Sequence, residues 1–119
     1  MSGEVTTHVL DLAHGRPAVG MRIDLAAIDP DGARQHVITV TTNSAGRTDA
    51  PLLAGTAMNI GCYELSFHTA AYFRASGAVL AEPPFLDIVP VRFAIDDLAA
   101  HYHIPLLVSP WSYTTYRGG

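Results

Sequence analysis

The chain has 119 residues, a formal net charge of −4 and 49% hydrophobic residues, so it can bury a core and is too apolar to be disordered. Its seven Lys and Arg positions, all arginine, form no cluster and no apolar run could span a bilayer, which argues against nucleic acid and membrane as partners. Cys62 stands alone and the start, Met1-Ser2-Gly3-Glu4-Val5, lacks the basic and apolar regions of a signal peptide, so the expected location is the cytoplasm.

Residues 6–12 alternate as a first strand, with His8 on the same face as Leu10 and Leu12, the apolar one by this reading. That places His8 either in the core or at a subunit contact. Residues 21–28 form a second strand, with Met21, Ile23 and Leu25 opposed to Arg22 and Asp24. Pro30-Asp31-Gly32 is a turn, because proline presets one dihedral and glycine accepts a positive one. Residues 35–42 are rich in β-branched side chains, as a third strand requires. Asn43-Ser44-Ala45-Gly46 then reverses the chain and delivers Arg47 to the start of the next strand. Residues 51–57, with Pro51 early and Gly55 late, are the best place for a short helix.

Beyond them, Tyr63, Leu65 and Phe67 alternate against Glu64, Ser66 and His68. Residues 70–84 read as the longest irregular stretch, holding Gly77 and Pro83-Pro84. Val89, Val91, Phe93 and Ile95 alternate strictly, the clearest strand in the chain, and Asp96-Asp97 begins a turn. The last nineteen residues read as strand, tight Ser109-Pro110 turn, strand. About eight short strands, frequent turns and one short helix predict an all-β fold, an antiparallel β-sandwich, with no domain boundary between residues 1 and 119. Residues 104–108 are apolar on both faces, so the outer face calls for cover, and a partner subunit is the economical one.

His101 and His103 share a face if their strand is regular. That spacing also presents two metal ligands, with His8 as a third, but no Cys or acidic ligand is patterned nearby. Taken singly, His8 is a strand histidine bonded to a neighbour, Arg47 a solvated charge, and Tyr116-Arg117 an ordinary terminal pair. Nucleophilic catalysis has little support. Ser109 and Ser112 flank a turn, no Gly-x-Ser-x-Gly elbow exists, and Cys62 lies mid-strand, where burial is expected.

Several segments point further. Thr7-His8-Val9-Leu10-Asp11, Asn43-Ser44-Ala45-Gly46-Arg47, Tyr63-Glu64-Leu65-Ser66-Phe67-His68-Thr69, Pro90-Val91-Arg92-Phe93 and His101-Tyr102-His103-Ile104-Pro105-Leu106-Leu107 occur in the order seen in transthyretin-like proteins. With the ending Tyr116-Arg117-Gly118-Gly119, the chain resembles the 5-hydroxyisourate hydrolases of that family across nearly its whole length. The resemblance implies a transthyretin-like sandwich, a homotetramer built as a dimer of dimers, and active sites in the channel between dimers. It implies metal-independent hydrolysis of 5-hydroxyisourate to 2-oxo-4-hydroxy-4-carboxy-5-ureidoimidazoline in urate degradation, with no cofactor. By motif it assigns catalysis to His8, Arg47 and His103, and substrate binding to Tyr116 and Arg117. The family's usual terminal serine is replaced here by Gly119, which removes a hydroxyl.

Opening a cyclic acyl bond with water needs a group to take a proton and a group to hold the developing oxyanion. Histidine suits the first role and a guanidinium the second. The competing readings are a transthyretin-like carrier, which would use the same channel to hold a small ligand without reacting, and a purely structural sandwich module. Lining the channel with two histidines and an arginine favours catalysis over both.

Overall fold

The computed structural model describes residues 3–119. Among them nine strands form two sheets: β1 (Glu4–Asp11), β2 (Arg16–Pro17), β3 (Arg22–Ile28), β4 (Arg34–Thr41), β5 (Leu53–Ala54), β6 (Gly61–Phe67), β7 (Val89–Ile95), β8 (His101–Val108) and β9 (Tyr113–Thr115). One sheet runs β2-β1-β8-β9, with β5 also pairing with β1; the other runs β4-β3-β6-β7. The expected sandwich is present. One pairing departs from the antiparallel pattern: β1 and β8 lie parallel, in register from Glu4 beside His101 to Asp11 beside Val108. A parallel pair cannot be closed by a hairpin. Here the whole second sheet is built between its two strands.

The core lies between the sheets. Val5, Val9, Ile23, Leu25, Leu65, Phe67, Val89, Ile95, Leu106 and Val108 are all essentially inaccessible to solvent. On β1 the inward row is Val5, Thr7, Val9 and Asp11, and the outward row is Glu4, Thr6, His8 and Leu10. His8 shares a face with Leu10, as expected, and of the two places open to it, core or subunit contact, the core is excluded. Two polar residues can point inward because each is satisfied: Thr7 Oγ1 donates to the Ile104 carbonyl at 2.7 Å, and Asp11 is hydrogen-bonded as described below. Leu12, beyond the strand end, is 53% exposed.

Three further expectations are corrected. The α-helix is not at 51–57 but at α1 (Thr69–Ala75), which starts on the last residue of the expected strand 63–69 and runs into the stretch 70–84 read as irregular. Residues 52–54 are captured instead by the edge of β1, where Leu52 N donates to the Val5 carbonyl at 2.8 Å, leaving only a 3₁₀ turn at Gly55–Ala57. Helix α1 buries Thr69, Ala70, Tyr72 and Phe73, one apolar face over two turns. Arg47, for its part, opens no strand; it sits exposed in the loop between β4 and β5. Cys62, in β6, is half-buried rather than buried. No helix among the described residues is long and apolar enough to cross a membrane.

Asp11 ties the end of β1 to α1. Its carboxylate is fully buried and accepts hydrogen bonds from Tyr72 Oη (2.7 Å), His14 N (2.9 Å) and His14 Nδ1 (2.6 Å). Burial alone would raise the carboxyl pKa, but the bonds from Tyr72 and His14 outweigh it and hold the group below its ordinary value. Burial and the Asp11 bond together push the Tyr72 phenol up to about 12. Because the folded-state pKa of Asp11 is depressed, its stabilisation is complete above about pH 4 and is lost as pH falls through the folded value. Tyr72→Phe removes one donor, so unfolding free energy at neutral pH should drop by about 1–3 kcal/mol. It should also lose less stability than wild type between about pH 5 and pH 3, because Asp11 moves back towards its unfolded value. Urea titrations at the two pH values check this; equal acid losses in both proteins would remove Tyr72 from the account.

Candidate active site

The parallel pairing of β1 with β8 builds the site. Register places Glu4 beside His101, Thr6 beside His103 and His8 beside Pro105. Side chains alternate along both strands, so Glu4, Thr6 and His8 project outward alongside His101 and His103. The Thr6 hydroxyl lies between the two rings, 2.7 Å from His101 Nε2 and 2.8 Å from His103 Nδ1. Glu4 Oε2 stands 3.4 Å from the same His101 Nε2. The His101 and His103 rings meet edge to face, with centroids 6.1 Å apart.

Arg47 reaches this patch from a loop shaped by Asn43. The Asn43 Oδ1 accepts from Ala45 N at 2.9 Å and Arg47 N at 3.2 Å, an Asx turn closed by Asn43 N donating to the Arg47 carbonyl at 2.8 Å. Gly46 has φ +74°, and a Cβ there would lie 2.4 Å from the Val9 carbonyl oxygen. Only glycine allows the loop to come so close to β1, and the contact is sealed by Val9 N donating to the Gly46 carbonyl at 2.8 Å. Arg47 is therefore set next to His8 and His103 by backbone geometry. Its guanidinium makes no ion pair among the described residues. The resulting cleft, about 400 Å³, is lined by Glu4, Thr6, Arg47, His101, His103 and Gly119, among others.

The C-terminal residues divide between two faces of β8. Gly118 N donates to the His103 carbonyl at 2.7 Å, and a Cβ on Gly118 would come within 2.6 Å of His103 Cδ2. The glycine thus lies flat against the imidazole. Arg117 turns the other way, its guanidinium carbon 4.3 Å above the Tyr102 ring, where Val91, Phe93, Tyr102 and Tyr116 line a second cavity. Within one chain the structure brings together His8, Arg47 and His103, and leaves Tyr116 and Arg117 outside that cluster. Sequence reasoning missed Thr6, Glu4 and Gly118. Period-two alternation does put Thr6 and Glu4 in the row of His8, but only the β1–β8 pairing sets them against the two histidines. Among the described residues no three His, Cys, Asp or Glu side chains converge as a metal-holding group.

Electrostatics follow from this packing. Burial first, and the Arg47 guanidinium second, hold His8 below the ordinary histidine range, against a backbone hydrogen bond at Ala45 that favours the charged form. His103 is lowered by burial, then by Arg47, His101 and His8. Both rings are thereby neutral at physiological pH and able to accept a proton. A neutral histidine pair beside an unpaired guanidinium can take a proton from water while the cation holds an oxyanion.

Comparison with known proteins gives a consistent neighbourhood. The family model described as the HIUase/Transthyretin family matches residues 5–118. A protein of Rhizobium meliloti (strain 1021) named 5-hydroxyisourate hydrolase 2 is 55% identical over 117 residues, covering 98% of this chain and 97% of its own. The solved Klebsiella pneumoniae 5-hydroxyisourate hydrolase superposes with a TM-score of 0.81 at 28% identity, covering 98% of this chain and 99% of that one. An (S)-allantoin synthase structure superposes with a TM-score of 0.93 at 44% identity over 99% of this chain. This chain spans only 44% of the length of that synthase.

Arg47 is a common cause of the lowered pKa of both rings. In an NMR titration of wild type, His8 and His103 should titrate below the ordinary value of about 6.5, and both midpoints should rise in Arg47→Ala. Midpoints that stay put in the variant would mean that the guanidinium does not face the rings.

Proposed function

The chain belongs to the HIUase/Transthyretin family, and we propose that it hydrolyses 5-hydroxyisourate at the outward face of β1 and β8. The observation that carries the reading is the cleft shared by Arg47 and His103, with His8 close enough to feel the same guanidinium and both histidine pKa values lowered. Full-length relatives at about this identity bear the hydrolase name, as with the Rhizobium protein at 55%. The product is the ring-opened 2-oxo-4-hydroxy-4-carboxy-5-ureidoimidazoline.

In this mechanism His8 and His103 hold and deprotonate a water molecule, which attacks the cyclic acyl carbon. Arg47 polarises the attacked carbonyl and holds the oxyanion as it forms, a role for which a guanidinium without a competing carboxylate is suited. The proton then goes to the departing ring nitrogen. Reaction requires no cofactor and no metal. The whole chain, 1–119, acts as one hydrolase domain in the cytoplasm.

The assembly we propose is a homotetramer, a dimer of dimers, with the sites in the channel between dimers. Leu10 and Leu107 support it: they are paired across β1 and β8, half-buried in one chain, and lie on the same strands as the site. In that channel Tyr116 and Arg117 orient the planar, oxygen-rich substrate, where a guanidinium's paired donors match paired acceptors. Their separation from the histidines within one chain means that they act across the assembly.

The test is the decay of freshly generated 5-hydroxyisourate followed by ultraviolet absorbance. Wild type should accelerate it well beyond the spontaneous rate. Arg47→Ala should lower kcat by roughly a hundredfold to a thousandfold, the cost of removing one oxyanion donor, with an unchanged melting temperature. His103→Ala should be comparably impaired. A folded wild-type protein that leaves the decay rate unchanged would refute the hydrolase reading and direct attention to ligand binding in the same channel.

A further inference from the structure

The Thr6 hydroxyl sits within hydrogen-bond distance of two imidazole nitrogens at once, His101 Nε2 at 2.7 Å and His103 Nδ1 at 2.8 Å. A hydroxyl has one proton to donate. It therefore cannot donate to both rings, and the two contacts must be of opposite sense. If Thr6 donates to His101, then His103 donates its Nδ1 proton to Thr6, and His103 Nε2 is left with a free lone pair. If Thr6 instead donates to His103, then Nε2 of His103 carries the proton and His101 Nε2–H donates to Thr6. The first arrangement makes His103 a base. The second makes it an acid.

We propose that Thr6 is a positioning residue of the hydrolase site: its hydroxyl fixes the tautomer of His103 and relays a proton from His103 to His101. The inference rests on the assignment of His103 to water activation made above. In the resting state His103 is protonated on Nδ1 and His101 on its own Nδ1. As His103 Nε2 takes a proton from water, the Nδ1 proton passes to Thr6 Oγ1, and the Thr6 proton passes to His101 Nε2. One proton enters the chain and one arrives at its far end. No bond other than O–H and N–H is made or broken along it, and the hydroxide left from water attacks the substrate. Reversal of the same shift returns the proton through His103 Nε2 to the leaving nitrogen.

The surroundings favour this direction. The charged and titratable side chains around His103 are Arg47, His101 and His8, with Glu4 and Asp49 on the same cleft. An imidazolium retained on His103 would face the Arg47 cation in a partly buried setting. Moved to His101, the positive charge reaches a side chain that is 47% exposed and has the Glu4 carboxylate 3.4 Å from the accepting nitrogen. Solvent and an opposite charge both stabilise it there. Thr6 is held in line by the β1–β8 register, which sets its backbone beside that of His103.

The experiment compares Thr6→Val, Thr6→Ser, His101→Ala and the Thr6→Val/His101→Ala double variant with wild type. Thr6→Val, nearly isosteric but without the hydroxyl, should lower kcat by about a hundredfold with little change in KM, and Thr6→Ser should restore most of it. His101→Ala should also lower kcat, and the double variant should be no worse than the poorer single, since both interrupt one chain. Ring nitrogen chemical shifts should report His103 as the Nδ1–H form in wild type and a move towards Nε2–H in Thr6→Val. A folded Thr6→Val with wild-type kcat and pH profile, strictly multiplicative losses in the double variant, or a wild-type His103 in the Nε2–H form would overturn the relay. Active wild type with an indifferent Thr6→Val sinks the relay alone. Inactive wild type sinks the hydrolase reading, and the ring nitrogen shifts still decide the tautomer.

Discussion

Everything at the site depends on the parallel pairing of β1 with β8. Two strands from opposite ends of the chain lie side by side at the centre of one sheet, in register over their full length. Because side chains alternate, this one register does two jobs. It drives Val5 and Val9 with Leu106 and Val108 into the core, and it sets Glu4, Thr6 and His8 against His101 and His103 outside. A slip of one residue would bury the histidines and expose the valines, at a cost of about 1.5–3 kcal/mol for each large apolar side chain lost from the core. Core packing thus enforces site geometry. The chemistry on the outer face needs no rigidity of its own, since the inner face has already fixed the register.

The pairing leaves two things unset, and close contacts with glycine backbone help to supply both. The first is the approach of Arg47, fixed by the Asn43 turn and by the close contact of Gly46 with Val9. The second is the orientation of the His103 ring, held on one side by Thr6 Oγ1 and on the other by Gly118, whose missing side chain leaves room for the imidazole. At both glycines a Cβ would collide, and at Gly46 the positive φ adds a backbone requirement to the contact. Far from the site, the buried Asp11 carboxylate plays a matching role, locking the end of β1 to the helix through Tyr72.

How much of this could be read from the sequence varied with the range of the interaction. Strands such as β7 were plain because period-two alternation is written in neighbouring residues, Val89, Val91, Phe93 and Ile95. His101 and His103 were correctly placed on one face by the same rule, and the Asn43–Gly46 turn by its composition. Helix α1 was missed because its apolar residues, Ala70, Tyr72 and Phe73, span only about one turn and abut a Gly- and Pro-bearing loop that hides the spacing. The segment at 52–54 looked helical by local punctuation and became strand because β1 offers it an unpaired edge. The inward facing of Asp11 and Thr7 was illegible for a similar reason: their partners, Tyr72 and Ile104, are 61 and 97 residues away. Thr6 was overlooked on the same ground. Nothing near it in the chain distinguishes it from Thr7, and only long-range pairing with β8 gives one threonine two imidazole neighbours and the other a buried carbonyl.

The placement of Arg47 poses an electrostatic problem that the rest of the site answers. A guanidinium that stabilises an oxyanion must be near the reacting carbonyl, and hence near the base that activates water. The same cation opposes the positive charge which that base acquires. In bulk water the conflict would be slight, but it sharpens in a partly buried cleft, where charges are less screened. An acidic partner against Arg47 would relieve it only by competing with the oxyanion. The arrangement here leaves Arg47 without an ion pair among the described residues and puts a carboxylate, Glu4, against His101 Nε2. The Glu4 carboxylate thereby sits by His101, the more exposed of the two β8 imidazoles. The outward row of β1, with Glu4, Thr6 and His8 two residues apart, spaces carboxylate, hydroxyl and imidazole along one strand. A pleated strand is well suited to this, since a period of two residues separates like-facing groups by about 6.6 Å and lets a parallel neighbour interleave its own.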